Sequence, residues 1–226
     1  MTATYDAQGN LYSGGTCFAQ GFPTTFGAID PTYNGIVVYG RTDIVITKYD
    51  SSGTFLQYST YFGGATSTEV VSSIIVNGQD ELMLYGVTGS NDFPMGPNAY
   101  DSTFAGGTAL SYAPNGTEYT NGIDLFVSKF NPTGTALLGS TYIGGTQNDG
   151  VNSSATLVYN YGDYYRGEIQ VDPFGNFYVA SCTYSANFPT TAGVASAIKS
   201  GGLDGVVFKF DSILSNLLWS TLLWNE

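Results

Sequence analysis

The fold of this chain is decided by a stretch that reads DIVITKYDSSGTFLQYSTYFGG (43–64) and that recurs twice without gaps. The second copy is DLFVSKFNPTGTALLGSTYIGG (124–145) and the third is DGVVFKFDSILSNLLWSTLLWN (204–225). The blocks start about 80 residues apart, a spacing typical of a chain built from repeated structural units. Five columns hold the same residue in all three blocks: Asp43/Asp124/Asp204, Lys48/Lys129/Lys209, Leu56/Leu137/Leu217, Ser59/Ser140/Ser220 and Thr60/Thr141/Thr221.

A shorter element precedes each block and a Phe-Pro pair follows that element. The shorter elements are YDAQGNLYSGG from Tyr5, VNGQDELMLYG from Val76 and VDPFGNFYVAS from Val171. The pairs are Phe22-Pro23, Phe93-Pro94 and Phe188-Pro189. Each repeat therefore contains four predicted strands, which in the first repeat cover residues 2–6, 10–14, 44–49 and 55–61.

The connections between these strands have the composition of tight turns. Residues 50–53 and 131–134 begin with Asp or Asn and end with Gly, which suits a type I turn, and residues 6–9 and 172–175 repeat this chemistry. Because each repeat carries three such turns, no room is left for helices. The sequence predicts an all-β chain of antiparallel hairpins.

The predicted strands are apolar on both faces, so each sheet has to be covered on both sides. Short antiparallel sheets that recur along a chain and are buried on both faces indicate a β-propeller, whereas a sandwich would show cleaner alternation. We predict three four-stranded blades, at residues 1–64, 65–145 and 146–226. Closed propellers have about four to eight blades. Three blades are therefore expected to be part of a longer ring, completed by other blades of a longer chain, or half of a ring that a second copy completes.

The motifs resemble the bacterial seven-bladed β-propeller repeat known as the SBBP repeat. The resemblance rests on GNLY (9–12), FPTT (22–25), the block from 43 to 53 and STYFGG (59–64), and the later repeats follow the same course. It implies a cell-surface or secreted protein of Bacteroidetes type, in a family rich in multidomain adhesins, and it implies no activity. The third block departs from the pattern, because Leu214 replaces the turn glycine and LLWN (222–225) replaces the Tyr-Ile-Gly-Gly ending.

The charge composition excludes several classes of function. The chain has 18 Asp and Glu, 6 Lys and Arg and no His, for a net charge of −12. Six scattered cations cannot form the basic patch that nucleic acids or anionic lipids require. Without histidine there is no Ser-His or Cys-His base and no imidazole metal ligand.

No apolar run approaches the roughly 18 residues needed to span a membrane. We expect an extracellular or outer-surface location, as the family resemblance implies.

The repeated polar columns are expected to be structural. An Asp and a Lys that recur at one place in every blade are better explained as ties between strand ends and loops than as an acid and a base. We expect the aspartates to accept backbone N–H groups and the lysines to extend outward. The Ser-Thr pairs are expected to be strand residues, since no histidine could activate them. Paired-carboxylate glycoside hydrolysis stays open, but no pair is singled out. We predict no enzyme activity. The expected structural residues are Asp43, Lys48, Asp124, Lys129, Asp204 and Lys209.

Two inserts, at 105–122 and 147–167, are the most individual part of the chain. Tyrosines among Asn and Asp on loops are typical of adaptable polar recognition, including stacking on sugars. The alternative is that the inserts cap blade rims or cover an open edge strand. Candidate ligand-binding residues are Tyr112, Tyr119, Tyr159, Tyr161, Tyr164 and Tyr165.

No cofactor is expected, and calcium is the only metal that the composition favours. Asn148-Asp149, and Asp6 with Asn10, offer hard oxygen ligands, but the D-x-[DN]-x-[DN]-G loop is absent. The sequence therefore predicts a non-catalytic scaffold or adhesion module of an exported surface protein. The alternative is a lectin-like, carbohydrate-binding domain that uses the insert tyrosines.

Overall fold

The structure is a computed structural model that describes residues 1–35, 40–112, 117–153, 164–165 and 167–223. Within these residues the chain forms strands and loops without helices. Fourteen strands build three antiparallel four-stranded sheets and one small hairpin. Sheet 1 contains β1 (Thr2–Tyr5), β2 (Leu11–Cys17), β3 (Asp43–Tyr49) and β4 (Leu56–Phe62). Sheet 2 contains β5 (Glu69–Val76), β6 (Leu82–Thr88), β9 (Asp124–Phe130) and β10 (Leu137–Ile143). Sheet 3 contains β11 (Glu168–Val171), β12 (Phe177–Thr183), β13 (Asp204–Phe210) and β14 (Leu217–Leu223).

The all-β, antiparallel prediction is confirmed. Every sheet is a meander in which sequence order equals spatial order, once the β7 (Leu110–Tyr112) and β8 (Thr117–Tyr119) hairpin is set aside. The predicted strands of the first repeat are present, and β2 continues to Cys17, beyond its predicted end at residue 14. Strands β7 and β8 pair on either side of Asn115-Gly116, a dipeptide typical of hairpin turns, and those two residues themselves lie outside the described residues.

The predicted turns close with the expected backbone hydrogen bonds. The Gly53 N–H donates to the Asp50 carbonyl at 2.9 Å and the Gly134 N–H donates to the Asn131 carbonyl at 3.0 Å. Both glycines have positive φ, +71° and +66°. Leu214 occupies the same place in the third repeat, with φ at 61° and its N–H 3.2 Å from the Asp211 carbonyl. The turn therefore keeps its left-handed residue even where the glycine is lost.

The three sheets stack face to face in chain order, with sheet 2 in the middle. Its first strand, β5, packs on both β1 and β11. In sheets 1 and 2 we call the face that points to the next sheet the leading face and the opposite one the trailing face. In sheet 3 the trailing face is the one that packs on sheet 2, and the leading face is the opposite one. The first junction joins sheets 1 and 2 through a core of Ile44, Ile46, Phe62, Leu84, Phe126 and Phe130. The second junction joins sheets 2 and 3 through Tyr85, Val87, Val127, Val179, Phe208 and Phe210.

The invariant threonines hold a loop against the outer strand of each sheet. Thr60 Oγ1 accepts the Asp30 N–H at 2.9 Å, Thr141 Oγ1 accepts the Asp101 N–H at 2.9 Å, and Thr221 Oγ1 accepts the Ser196 N–H at 3.0 Å. In each case the next backbone N–H of the strand donates to the carbonyl of the same loop residue. The loop thus covers part of an edge that would otherwise be open to further strand pairing.

The Phe-Pro phenylalanines act as wedges between sheets. The Phe93 ring lies 4.9 Å from Phe62 of sheet 1 and 4.5 Å from Phe126 of sheet 2, and it is 3% exposed. Phe188 is similarly buried at the second junction. Phe22, the first copy, lies on the free trailing face of sheet 1 beside Tyr61 and is only half-buried.

Candidate functional site: buried carboxylates at the sheet junctions

The repeated aspartates begin the third strand of each sheet and are almost fully buried. Each carboxylate accepts backbone N–H groups from the loop that precedes its strand. Asp43 Oδ2 accepts from Asn34 at 2.6 Å, Asp124 Oδ2 from Ala105 at 2.7 Å and Asp204 Oδ2 from Ser200 at 2.7 Å. These contacts tie the loop to the strand end.

Two of these aspartates share their site with a second carboxylate from a later segment of the chain. Glu69 begins β5 of sheet 2, and Asp149 lies in the loop before sheet 3, where it bridges to Thr183 of β12. At the first junction, a Cβ built on Gly63 would meet Glu69 Oε2 at 2.7 Å and Asp43 Oδ1 at 2.9 Å. At the second junction, a Cβ on Gly144 would meet Asp124 Oδ1 at 2.6 Å and Asp149 Oδ2 at 2.8 Å. Any side chain at these positions would strike the carboxylates. The first glycine of each Gly-Gly pair therefore leaves space for an acid pair.

The second acid of each pair is held by hydroxyl and backbone donors. Thr88 Oγ1 donates to Glu69 Oε1 at 2.9 Å. Asp149 accepts from Thr183 Oγ1, from the Gly145 N–H at 2.7 Å and from Ser185 Oγ at 3.1 Å. Sequence reasoning missed Glu69. An acid within five residues after Gly-Gly in the first two repeats is the signal that would have found it.

Burial makes these carboxyl groups hard to ionise. It raises the pKa of Glu69 to about 8 and that of Asp149 to about 7. It also raises the pKa of Asp43 and of Asp124 to about 6, against the backbone hydrogen bonds that lower it. Each pair therefore tends to retain a proton near neutral pH, since a charged form would have to be stabilised without water.

The acid pairs are buried where neighbouring sheets meet. Asp43, Glu69, Asp124 and Asp149 are each at most 1% exposed, so a substrate has no route to them in this structure. Among the described residues, no group of three or more His, Cys, Asp or Glu is arranged to hold a metal ion. The Asp6 carboxylate, named in the calcium alternative, accepts from the Asn10 side chain at 2.8 Å and pairs with Lys48 at 3.4 Å.

The repeated lysines pair with acids of the first hairpin in each sheet, not with the repeated aspartates. In addition to the Lys48–Asp6 pair, Lys129 Nζ lies 2.6 Å from Glu81 Oε2 and Lys209 Nζ lies 3.1 Å from Asp172 Oδ2. Lys48 and Lys129 are buried, which differs from the expected outward extension. Burial opposes ionisation of Asp172, yet its hydrogen bonds with Asn176 and Lys209 hold its pKa well below the usual range. The lysines thus fasten the first hairpin to the third strand.

The predicted tyrosines divide into buried, partly buried and undescribed groups. Tyr119 and Tyr165 are 0% and 5% exposed, and their rings lie 6.0 Å apart in the core of the second junction. Tyr164 is half-buried, and Tyr112 ends β7. Tyr159 and Tyr161 lie outside the described residues. The structure brings Tyr119, Tyr164 and Tyr165 together, with little ring surface of Tyr119 and Tyr165 left for a ligand.

Comparison with known proteins adds no assignment to this geometry. No protein-family model matches the chain, and no curated protein matches its sequence. In the part of the chain that the structure describes, no helix has the length and apolar character needed to cross a membrane.

Proposed function

We propose that the three sheets are consecutive blades of a β-propeller, and that the chain is a non-catalytic scaffold or adhesion module of an exported bacterial surface protein. The observation that carries this proposal is the repetition of one junction twice along the chain. At both junctions a leading face meets a trailing face, a Phe-Pro wedge fills the gap and an acid pair lies beside a Gly-Gly glycine. The contacts of β5 with β1 and with β11 support first strands that line a common axis.

A structural role accounts for the chain's repeated polar residues. The aspartates bind loop backbone, the lysines pair with hairpin acids and the threonines hold the loops over the outer strands. Each of these groups is engaged within the fold. The SBBP resemblance supports export to the cell surface, and the net charge of −12 favours solubility there.

Solution scattering tests the propeller arrangement. Small-angle X-ray scattering of the chain is expected to match three sheets stacked in chain order, either alone or as part of a larger ring. A curve that requires the sheets to lie apart would contradict the proposal. Location is tested separately: protease added to intact cells of the encoding organism is expected to degrade the protein without lysis.

The lectin-like alternative has its own test, on a glycan array. Tyr164 is the described insert tyrosine whose ring retains some exposure. The scaffold proposal expects no glycan signal. A signal that falls in Tyr164→Ala and in Tyr112→Ala, while Tyr165→Phe keeps both the fold and the signal, would favour the lectin alternative.

A further inference from the structure

The two junctions place a large residue opposite a glycine, with the roles of the two positions exchanged. At the first junction, Tyr58 on β4 of sheet 1 covers the turn glycine Gly134 of sheet 2. A Cβ on Gly134 would lie 2.4 Å from the Tyr58 ring. At the second junction, the strand position holds Gly139 and the turn position holds Leu214. A Cβ on Gly139 would lie 3.4 Å from Leu214 Cδ1.

These residues are the same two columns of the repeated block. The strand column reads Tyr58, Gly139, Trp219 and the turn column reads Gly53, Gly134, Leu214. Each junction combines the strand residue of one sheet with the turn residue of the next. Trp219 of sheet 3 and Gly53 of sheet 1 are left over, one large and one without a side chain. They form the same large-to-glycine combination as Tyr58 and Gly134.

Sheet 1 has an open depression beside its turn glycine, Gly53. It has a volume of about 470 Å³ and its walls include Leu11, Tyr49 and Gly53. The equivalent residues of sheet 2 are Leu82, Phe130 and Gly134. Leu82 and Phe130 belong to the same buried cluster as Tyr58, and Gly134 lies directly against the Tyr58 ring. No atom lies within 4 Å of a Cβ built on Gly53. The socket that Tyr58 fills inside the chain is thus present and open on the trailing face of sheet 1.

Trp219 stands on the opposite free surface, the leading face of sheet 3. Its neighbours in the strand, Ser220 and Leu222, are buried toward sheet 2, so Trp219 projects from the other side. It is half-buried, with its ring 6.2 Å from Tyr178 in an edge-to-face arrangement.

A second pair of residues repeats the complementarity. Phe62 and Ile143 are fully buried at the junctions, but Leu223, which occupies the same column in sheet 3, is 47% exposed. Phe62 packs on the wedge Phe93. The corresponding wedge of sheet 1, Phe22, borders an open depression of about 430 Å³ on the trailing face. Leu223 therefore lacks a wedge such as the one that Phe62 contacts, and Phe22 lacks a leading-face residue such as the one that Phe93 contacts.

We infer that the leading face of sheet 3 binds the trailing face of sheet 1 in a second copy of this chain, with Trp219 in the socket at Gly53 and Leu223 against Phe22. The inference rests on the proposed propeller stacking. A second copy is the occupant because one chain carries both halves of the contact. Two copies joined twice in this way form a closed ring of six sheets, within the range of about four to eight blades that propellers use. The contact also covers apolar residues, including Tyr5 and Leu11, that are exposed in one copy.

The test is the mass in solution, measured by light scattering during gel filtration. Protein concentrations of roughly 1 to 100 μM cover the range of dissociation constants expected for an interface of moderate affinity. The expected mass is twice 23.9 kDa. Gly53→Leu, which fills the socket, and Trp219→Gly, which removes the residue that enters it, are each expected to weaken the dimer at least about tenfold. The double variant Gly53→Leu/Trp219→Gly recreates the Gly139–Leu214 combination and is expected to recover most of the dimer.

A matched control separates this effect from backbone strain. Gly193 also has positive φ, +78°, and a Cβ there would meet no atom within 4 Å. Gly193→Leu is expected to dimerise like the parent chain. A monomeric parent, a mass other than that of two copies, or a dimer unaffected by both single variants would overturn the inference. A monomer whose scattering curve still fits three stacked sheets would leave the propeller proposal standing, so the two failures are distinguishable.

Discussion

Gly134→Ala is expected to destabilise the chain more than a backbone effect alone explains. Gly134 has φ at +66°, and its missing side chain is what lets the Tyr58 ring lie over the turn. An added methyl carbon would lie 2.4 to 2.6 Å from three ring carbons of Tyr58. Since Tyr58 is only 4% exposed, its ring has little freedom to move aside.

The expected loss has two contributions. A residue other than glycine in the left-handed region costs about 1–2 kcal/mol. Overpacking against a fixed ring adds about 1–3 kcal/mol. Gly134→Ala should therefore lower the free energy of unfolding by about 2–5 kcal/mol, the sum of these two ranges.

Gly53→Ala is the matched control, because Gly53 occupies the same turn position with φ at +71° and open space around its Cβ direction. It should cost only the backbone contribution, about 1–2 kcal/mol. Urea unfolding followed by tyrosine and tryptophan fluorescence measures both. Runs at two protein concentrations separate any effect of self-association from that of folding.

The Tyr58→Ala background isolates the clash. In that background Gly134→Ala should cost no more than Gly53→Ala does in the parent chain, so the coupling between positions 58 and 134 should be about 1–3 kcal/mol. Equal losses for Gly134→Ala and Gly53→Ala in the parent chain would refute the packing explanation. So would an additive double variant.

Three further outcomes are expected in equilibrium unfolding. Burial raises the pKa of Glu69 from 4.5 to about 8, so between these pH values the native chain retains a proton that the unfolded chain releases. The stability that this group contributes is therefore complete below about pH 4.5 and is lost as the pH rises to about 8. Glu69→Gln should reduce the difference between pH 5 and pH 8, and an unchanged pH profile would contradict this. Phe93→Ala, at a buried wedge, should cost about 3–5 kcal/mol, whereas Phe22→Ala at the half-buried copy should cost clearly less, and equal losses would show that burial between sheets is not the cause. Leu214→Gly relieves about 1–2 kcal/mol of backbone strain but loses about 2–5 kcal/mol of buried packing, so net destabilisation is expected, and a more stable variant would contradict it.

Sequence alone was sufficient for the features that depend on near neighbours. The recurring block, the strand pattern and the Asp-x-x-Gly turns predicted an all-β chain of antiparallel hairpins, and the structure confirms the sheets and their turns. These features can be predicted from short segments because a turn closes through a hydrogen bond between residues three apart. The burial of a strand likewise follows from the polarity of its own side chains. The repeat also showed which columns to expect at equivalent places in each sheet.

Tertiary structure decided what depends on the packing of one sheet against the next. Glu69 meets Asp43 only because sheet 2 packs its first strand beside the third strand of sheet 1. The block lysines pair with acids on a hairpin that lies 37 to 48 residues earlier in the sequence. Tyr119, which the sequence suggested as a ligand-binding residue, is buried at a junction. The sequence shows that two columns of the repeat alternate between a large residue and glycine, as in Tyr58 with Gly134 and Gly139 with Leu214. Only the stacking of the sheets shows that these two columns contact each other. Contacts between sheets are set by the volume that two facing surfaces must fill together, and no single segment contains that information.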